Sequence, residues 1–151
     1  HMKKKFICIM LILLLFSFNK ISGYEFHEEI GDIEFLLNKR IEIMNEFLYG
    51  NKDMDSLEDK LNKIEAENLL KNDLDILRKV IDCPTDYELA MNVKVDKINS
   101  LEQIEDAIYI NADLNWLMSG YDGEFNMIRN YDIKCMEIED QMYLTSLIIK
   151  E

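Results

Sequence analysis

The apolar pattern of this chain changes period once, at Pro84, its only proline. Before that residue, apolar side chains recur every three or four positions, the repeat of a helix with one buried stripe. After it they alternate, the repeat of a strand with one buried face. The pattern therefore predicts an α+β fold, with N-terminal helices packed on a curved antiparallel sheet.

In residues 25–49, Ile30, Ile33, Leu37, Ile41, Met44 and Leu48 form one stripe, widened by Leu36 and Phe47. Glu28, Glu29, Asn38, Arg40 and Glu46 fall elsewhere on the circumference, and Gly50 is a natural stop. Asp55 followed by Glu58 resembles a capping box with Asp55 as the N-cap, and Leu57, Leu61 and Ile64 begin a second stripe. A further stripe, Leu70, Leu74, Leu77 and Ile81, runs to Cys83. No glycine or proline interrupts this stretch, so residues 56–83 fit either one kinked helix or two short ones.

Beyond Pro84, Leu89, Met91, Val93 and Val95 occupy one face of a predicted strand, and residues 99–106 read as a polar link. A longer strand places Ile108, Ile110, Ala112, Leu114, Trp116 and Met118 against Tyr109, Asn111, Asp113 and Asn115. Residues 119–123 form a turn, a third strand runs through Phe125, Met127, Tyr131, Ile133 and Cys135, and Glu139 and Asp140 turn the chain into a last strand ending near Ile149. Short loops between successive strands favour an antiparallel meander, because parallel neighbours need long crossovers.

Charge divides the chain differently. The sequence holds 30 acids and 17 bases, a net charge of −13. Residues 1–23 contain Lys3, Lys4, Lys5 and Lys20 and no acid, so residues 24–151 carry 13 bases against 30 acids, or −17. Such a surface repels phosphate backbones, which excludes nucleic acid as a partner. His1 precedes Met2 as a tag remnant would, and a lysine triplet then leads a 13-residue apolar run ending at Phe18. A bilayer-spanning helix needs about 20 residues. Residues 1–23 are therefore expected to be a tag remnant plus a signal peptide, cleaved before Tyr24, or a short membrane anchor. Residues 24–151 are expected to be a single α+β domain, secreted or extracytoplasmic, touching a membrane only if the leader stays attached. With Cys8 in the leader, Cys83 and Cys135 remain, either paired or as two separate buried thiols.

The segments 107–116 (AIYINADLNW) and 139–147 (EDQMYLTSL) resemble the nuclear transport factor 2-like, or cystatin-like α+β, superfamily, in which helices close a curved sheet into a cone. Exported members include the VirB8-like domains of conjugation machinery, which also follow one hydrophobic N-terminal segment. The resemblance implies assembly or binding. Enzymes of the superfamily work inside the cone with an Asp, a Tyr or a His.

Most catalytic chemistry lacks its residues here. After the leader, His27 is the only histidine, and Ser56, Ser100, Ser119 and Ser146 lie in no nucleophile motif. Asp113, Asp132, Tyr109 and Tyr131 lie on predicted strands where an acid or base would sit, but Asp113 is out of phase with the apolar face and is expected to face water. Asn51, Asp53, Asp55 and Asp59 match calcium-loop positions 1, 3, 5 and 9, while Ser56 and Asn62 stand where that loop needs Gly and Glu. The segment reads instead as an interhelical loop. No zinc spacing or phosphate-cradling loop is present, so no cofactor or metal is expected.

Tyr109, Asp113, Trp116, Tyr121 and Tyr131 remain as candidate pocket or interaction residues, with Trp116 in phase with the core and Tyr121 at a turn tip. These features point to an exported, non-enzymatic binding or assembly domain at the bacterial cell surface, taking a protein partner or a small apolar ligand. An acidic inhibitor or immunity protein against a basic secreted toxin or hydrolase is the alternative, and a small acid–base enzyme of the resembled superfamily is a third reading.

Overall fold

Helix α1 (Ser22–Tyr49) opens the structure, a computed structural model that describes residues 22–83 and 88–151, with side chains described from residue 28 in that helix. The leader reading thus lies outside the described residues, apart from the helical backbone at Ser22 and Gly23, and so does Pro84. The chain divides into two units, His1–Asp32 and Ile33–Glu151. In the first, residues 22–32 are helical. The second contains the remainder of α1, α2 (Met54–Leu61), α3 (Glu67–Asp82) and strands β1 (Leu89–Ile104), β2 (Ala107–Gly120), β3 (Gly123–Ile138) and β4 (Gln141–Ile149). The strands form one antiparallel sheet in sequential order, so the α+β architecture and the meander stand as expected. Among the described residues no helix is long and apolar enough to cross a membrane.

The stripe of α1 buries Ile33, Leu36, Leu37, Ile41 and Phe47, with Ile43 as an addition and Met44 and Leu48 at its margin. At its end the Gly50 amide donates to the Glu46 carbonyl at 2.9 Å, and a Cβ on Gly50 would lie 2.7 Å from that oxygen. The N-cap of α2 is Asp53, not Asp55. Because the helix starts at Met54, the amides needing partners are those of Asp55 and Ser56, and Asp53 Oδ1 accepts from both, at 3.1 and 3.4 Å. Residues 56–83 form two helices. Between them the Leu144 amide donates to the Ile64 carbonyl and the Ala66 amide to the Leu144 carbonyl, each at 2.9 Å, so strand β4 supplies bonds that a continuous helix would have made internally. On α3 the buried face is Leu69, Asp73, Leu74 and Leu77, whereas Ile81, expected inside, is exposed.

The sheet corrects the reading of residues 99–106. They are no link: β1 continues to Ile104 and turns at Glu105 and Asp106. Register shifts at Ala90/Asn92, Val95/Lys97 and Ile98/Ser100 break its alternation. Met91 consequently faces out, 45% exposed, while Ala90, Val93, Val95, Ile98 and Leu101 pack against the core. The β2 face follows the expected phase, with Ile108, Ile110, Ala112, Leu114 and Trp116 buried. Together with Ile133, Cys135 and Leu144 they form one apolar cluster with the helical stripes. Cys135 is fully buried and Cys83 is exposed at the end of α3, so the two do not pair with each other.

Candidate functional site: the open face of the sheet

Alternation on a strand that buries one face must present the other. On β2 that second face carries Tyr109, Asn111, Asp113 and Asn115, and the register fixes what stands beside each of them. One cross-strand row runs Glu102, Tyr109, Lys134, Ser146; the next runs Ser100, Asn111, Asp132, Ile148. These two rows line a cleft of about 360 Å³.

Beside the cleft the amides and carboxylates interlock. Asn99 Nδ2 donates to Asn111 Oδ1 and Asp113 Oδ1, both at 3.1 Å. Asn111 Nδ2 donates to Asn130 Oδ1 at 2.8 Å and to Asp132 Oδ1 at 2.7 Å. Asn130 Nδ2 donates to Asn111 Oδ1 at 3.0 Å and to Asp113 Oδ1 at 2.6 Å. The Asn130 amide, helped by Asn99 and the Lys97 charge, holds the Asp113 carboxyl below its ordinary range. The Asn111 amide does the same for Asp132, reinforced by Lys150 at 3.0 Å. Both groups are therefore fixed as acceptors at neutral pH. Lys134 lies 3.7 Å from Glu67 and 5.8 Å from the Tyr109 ring centroid.

A second charged group sits on the covered side. Arg40 grips Asp73 through Nε at 2.7 Å and a second guanidinium nitrogen at 2.9 Å. Its Nε also lies 3.0 Å from Glu65 Oε1, yet neither Glu65 oxygen has a hydrogen bond of proper geometry. Burial, and after it the Asp73 charge, push the Glu65 carboxyl up to about 8, with Arg40 opposing. Burial works against the Arg40 charge, but its two carboxylate partners prevail and raise its pKa. Sequence reading placed Arg40 away from the buried stripe and did not single out Glu65 or Asp73. The available signal was Asp73 itself, which falls in phase with Leu69 and Leu77 on an apolar helix face.

The five residues singled out in the sequence do not form one site. Tyr109 and Asp113 belong to the open face. Trp116 and Tyr131 lie on the core side, with ring centroids 5.7 Å apart, and Tyr121 is fully exposed at the β2–β3 turn. What sequence reading missed is the amide set on three strands, Asn99, Asn111 and Asn130, whose spacing from Asp113 and Asp132 puts them on one surface. Among the described residues no group of three or more His, Cys, Asp and Glu side chains is placed to hold a metal ion.

No protein-family model matches this chain, and no curated protein matches it. Among solved structures it is similar to the intermembrane-space region of the chloroplast protein ARC6, at 11% identity and a TM-score of 0.47, over 78% of this chain and 95% of that one. It is also similar to a de novo designed β-sheet protein, at 12% identity and a TM-score of 0.32, over 80% of this chain and 88% of that one. The functional reading therefore rests on the chemistry of the site.

Proposed function

We propose that this chain is an exported, non-enzymatic recognition domain that presents the open face of its sheet to a binding partner, with the helices serving as scaffold. One observation carries this reading: the network of Asn99, Asn111, Asp113, Asn130 and Asp132 holds solvent-facing polar groups in fixed positions. Side chains already ordered lose less entropy when a partner docks. A general base gains from a carboxyl pKa raised toward neutrality, and the two network carboxyls are shifted the other way. Among the described residues the one carboxyl that is raised, Glu65, is 1% exposed and out of reach of a substrate. Export is supported by the lysine-led apolar leader, and an assembly role by the resemblance to nuclear transport factor 2-like domains.

A photo-crosslinking side chain at Leu117, on the open face, should give adducts on the cells that make the protein. The same group at Ile76, exposed on α3, should give none. Equal adducts from both positions would overturn the choice of face, and a protein confined to the cytoplasm would overturn export.

The acidic-inhibitor reading has its own observation. The β1–β2 and β3–β4 turns lie at the same end of the meander, tied by a 2.8 Å bond from the Glu137 amide to the Asp106 carbonyl. Glu105, Asp106, Glu137, Glu139 and Asp140 are all exposed there. A basic hydrolase steered to this end would associate more slowly as salt rises. A rate independent of ionic strength would remove this reading.

A further inference from the structure

We propose that the cleft around Tyr109 is a binding site for an uncharged saccharide. This rests on the open face being the recognition face, and names what it recognises.

The first argument is charge. Of the charged groups at the centre of the cleft, Asp132 is already paired with Lys150 at 3.0 Å and Lys134 with Glu67 at 3.7 Å. An anionic ligand would meet the Asp132 carboxylate, held ionised by Asn111 and Lys150, and Glu102 at the β1 edge. A cationic ligand would meet Glu102 at the edge, but at the centre it would have to displace Lys150 from Asp132. A neutral ligand leaves both pairs intact, so no charge loses its partner when the ligand covers the cleft.

The second argument is the kind of surface offered. Ser100 and Ser146 bring hydroxyls that donate and accept, the Asn111 amide is held by three neighbours, and Asp132 accepts. Beside them stand the half-exposed Tyr109 ring and Ile148. A sugar has the matching duality, with hydroxyls around its edge and C–H groups on its faces. Those C–H hydrogens carry partial positive charge and suit the negative face of an aromatic ring. Few other uncharged ligands combine so many hydroxyls with an apolar face.

The third argument is size and rigidity. At about 360 Å³ the cleft lies at the low end of the roughly 300–1,000 Å³ typical of small-molecule sites. Its two rows cross four strands and stand two residues apart, a footprint of about 14 by 7 Å. An extended oligosaccharide can lie across the strands along those rows. The amide network fixes the polar groups on one side of the footprint in advance, and preorganisation of this kind lets a shallow, wet site discriminate.

The experiment uses the full chain, with side-chain amide and backbone NMR signals as readout. The neutral probes are maltotriose, cellotriose and triacetylchitotriose; glucose 6-phosphate and a lysine tripeptide are the charged probes. At least one neutral probe, up to about 20 mM, should shift the Asn111 side-chain amide and the Tyr109 and Ser146 backbone signals saturably. Tyr109→Ala should weaken that binding about tenfold, while Tyr109→Phe retains it. Both substitutions lie on the open face, and an unchanged urea midpoint verifies the fold. Absence of saturable shifts with all neutral probes, a response to a charged probe alone, or a response that survives Tyr109→Ala would each overturn the proposal. If the Leu117 adducts persist when the sugars fail, only the saccharide assignment falls; if the adducts are lost as well, the open-face reading falls with it.

Discussion

Asn38 of α1 pairs with Val93 of β1 as a neighbouring strand would, its Nδ2 donating to the Val93 carbonyl at 2.8 Å and its Oδ1 accepting from the Val93 amide at 3.0 Å. Two more residues on that side of α1 act alike. The Glu34 carboxylate accepts from the Val95 amide at 3.0 Å, and Asn45 Nδ2 donates to the Ala90 carbonyl at 2.8 Å. The spacings agree: eleven residues of helix and five of strand each advance about 16.5 Å. Strand β1 is an edge of the sheet, and an uncovered edge offers its backbone to any passing chain. Side chains of α1 occupy that backbone between Ala90 and Val95, which blocks this part of the edge to another strand.

Replacing Asn38 with Leu should therefore destabilise the fold by about 1–3 kcal/mol, because Val93, 1% exposed, loses partners for a buried donor and acceptor together. Asn38→Asp, which keeps the acceptor, should lose less. Urea midpoints of the two variants check this, and equal midpoints for Asn38→Leu and the parent would mean that water replaces the side chain at no loss.

The buried carboxyl predicts a pH dependence of definite sign. Burial and the Asp73 charge raise Glu65 from 4.5 to about 8 in the folded state, so between those values the folded protein holds a proton that the unfolded chain releases. Its contribution is complete below pH 4.5 and is lost as pH rises through 8, at up to about 1.4 kcal/mol per pH unit. Glu65→Gln should flatten that decline without removing the side chain, as read from urea midpoints across the window. Arg40→Met, which leaves Asp73 buried without its bidentate partner, should be far more damaging, by about 3–5 kcal/mol.

The helices and the β2 strand were legible in the sequence because their burial follows a fixed period. Ile33, Leu37 and Ile41 on α1, and Ile108 through Trp116 on β2, each keep one phase. Strand β1 was misread at Met91 because of the register shift at Ala90/Asn92, and beyond Val95 because two further shifts reset its phase, so a continuous strand resembled a polar link. The break between α2 and α3 was undecidable because its cause is distant: the bonds that end the helix belong to Leu144. The amide network was hidden for the same reason. Asn111 is ordinary in its own strand and becomes part of a site only when the register sets it beside Asn130 and Asp132.

The β3–β4 turn should accept improvement. Glu139 and Asp140 both have positive φ, 52° and 61°, as a two-residue primed turn demands and as non-glycine residues resist. Replacing the pair with Asn-Gly should raise stability by about 0.5–2 kcal/mol, seen as a higher thermal midpoint. It would also remove two charges from the acidic end. If that end docks a basic partner, the more stable variant should bind it more weakly, separating the two effects in one protein.

Cys135 offers a reporter for the whole unit. It sits opposite Ile108 in the centre of the sheet, fully buried, and burial pushes its thiol up to about 12. At pH 8 only about one molecule in ten thousand would carry the thiolate even if reagent could reach it. In a chain carrying Cys8→Ser and Cys83→Ser, Ellman's reagent should therefore leave the native protein unlabelled for hours and titrate one thiol once urea unfolds it. The labelling rate should follow the unfolded fraction, because exposing a residue paired on both sides requires opening the sheet and not merely fraying an end. Labelling within seconds in native buffer would show instead that β3 and β4 separate independently, and that the cleft built across them is not held rigid.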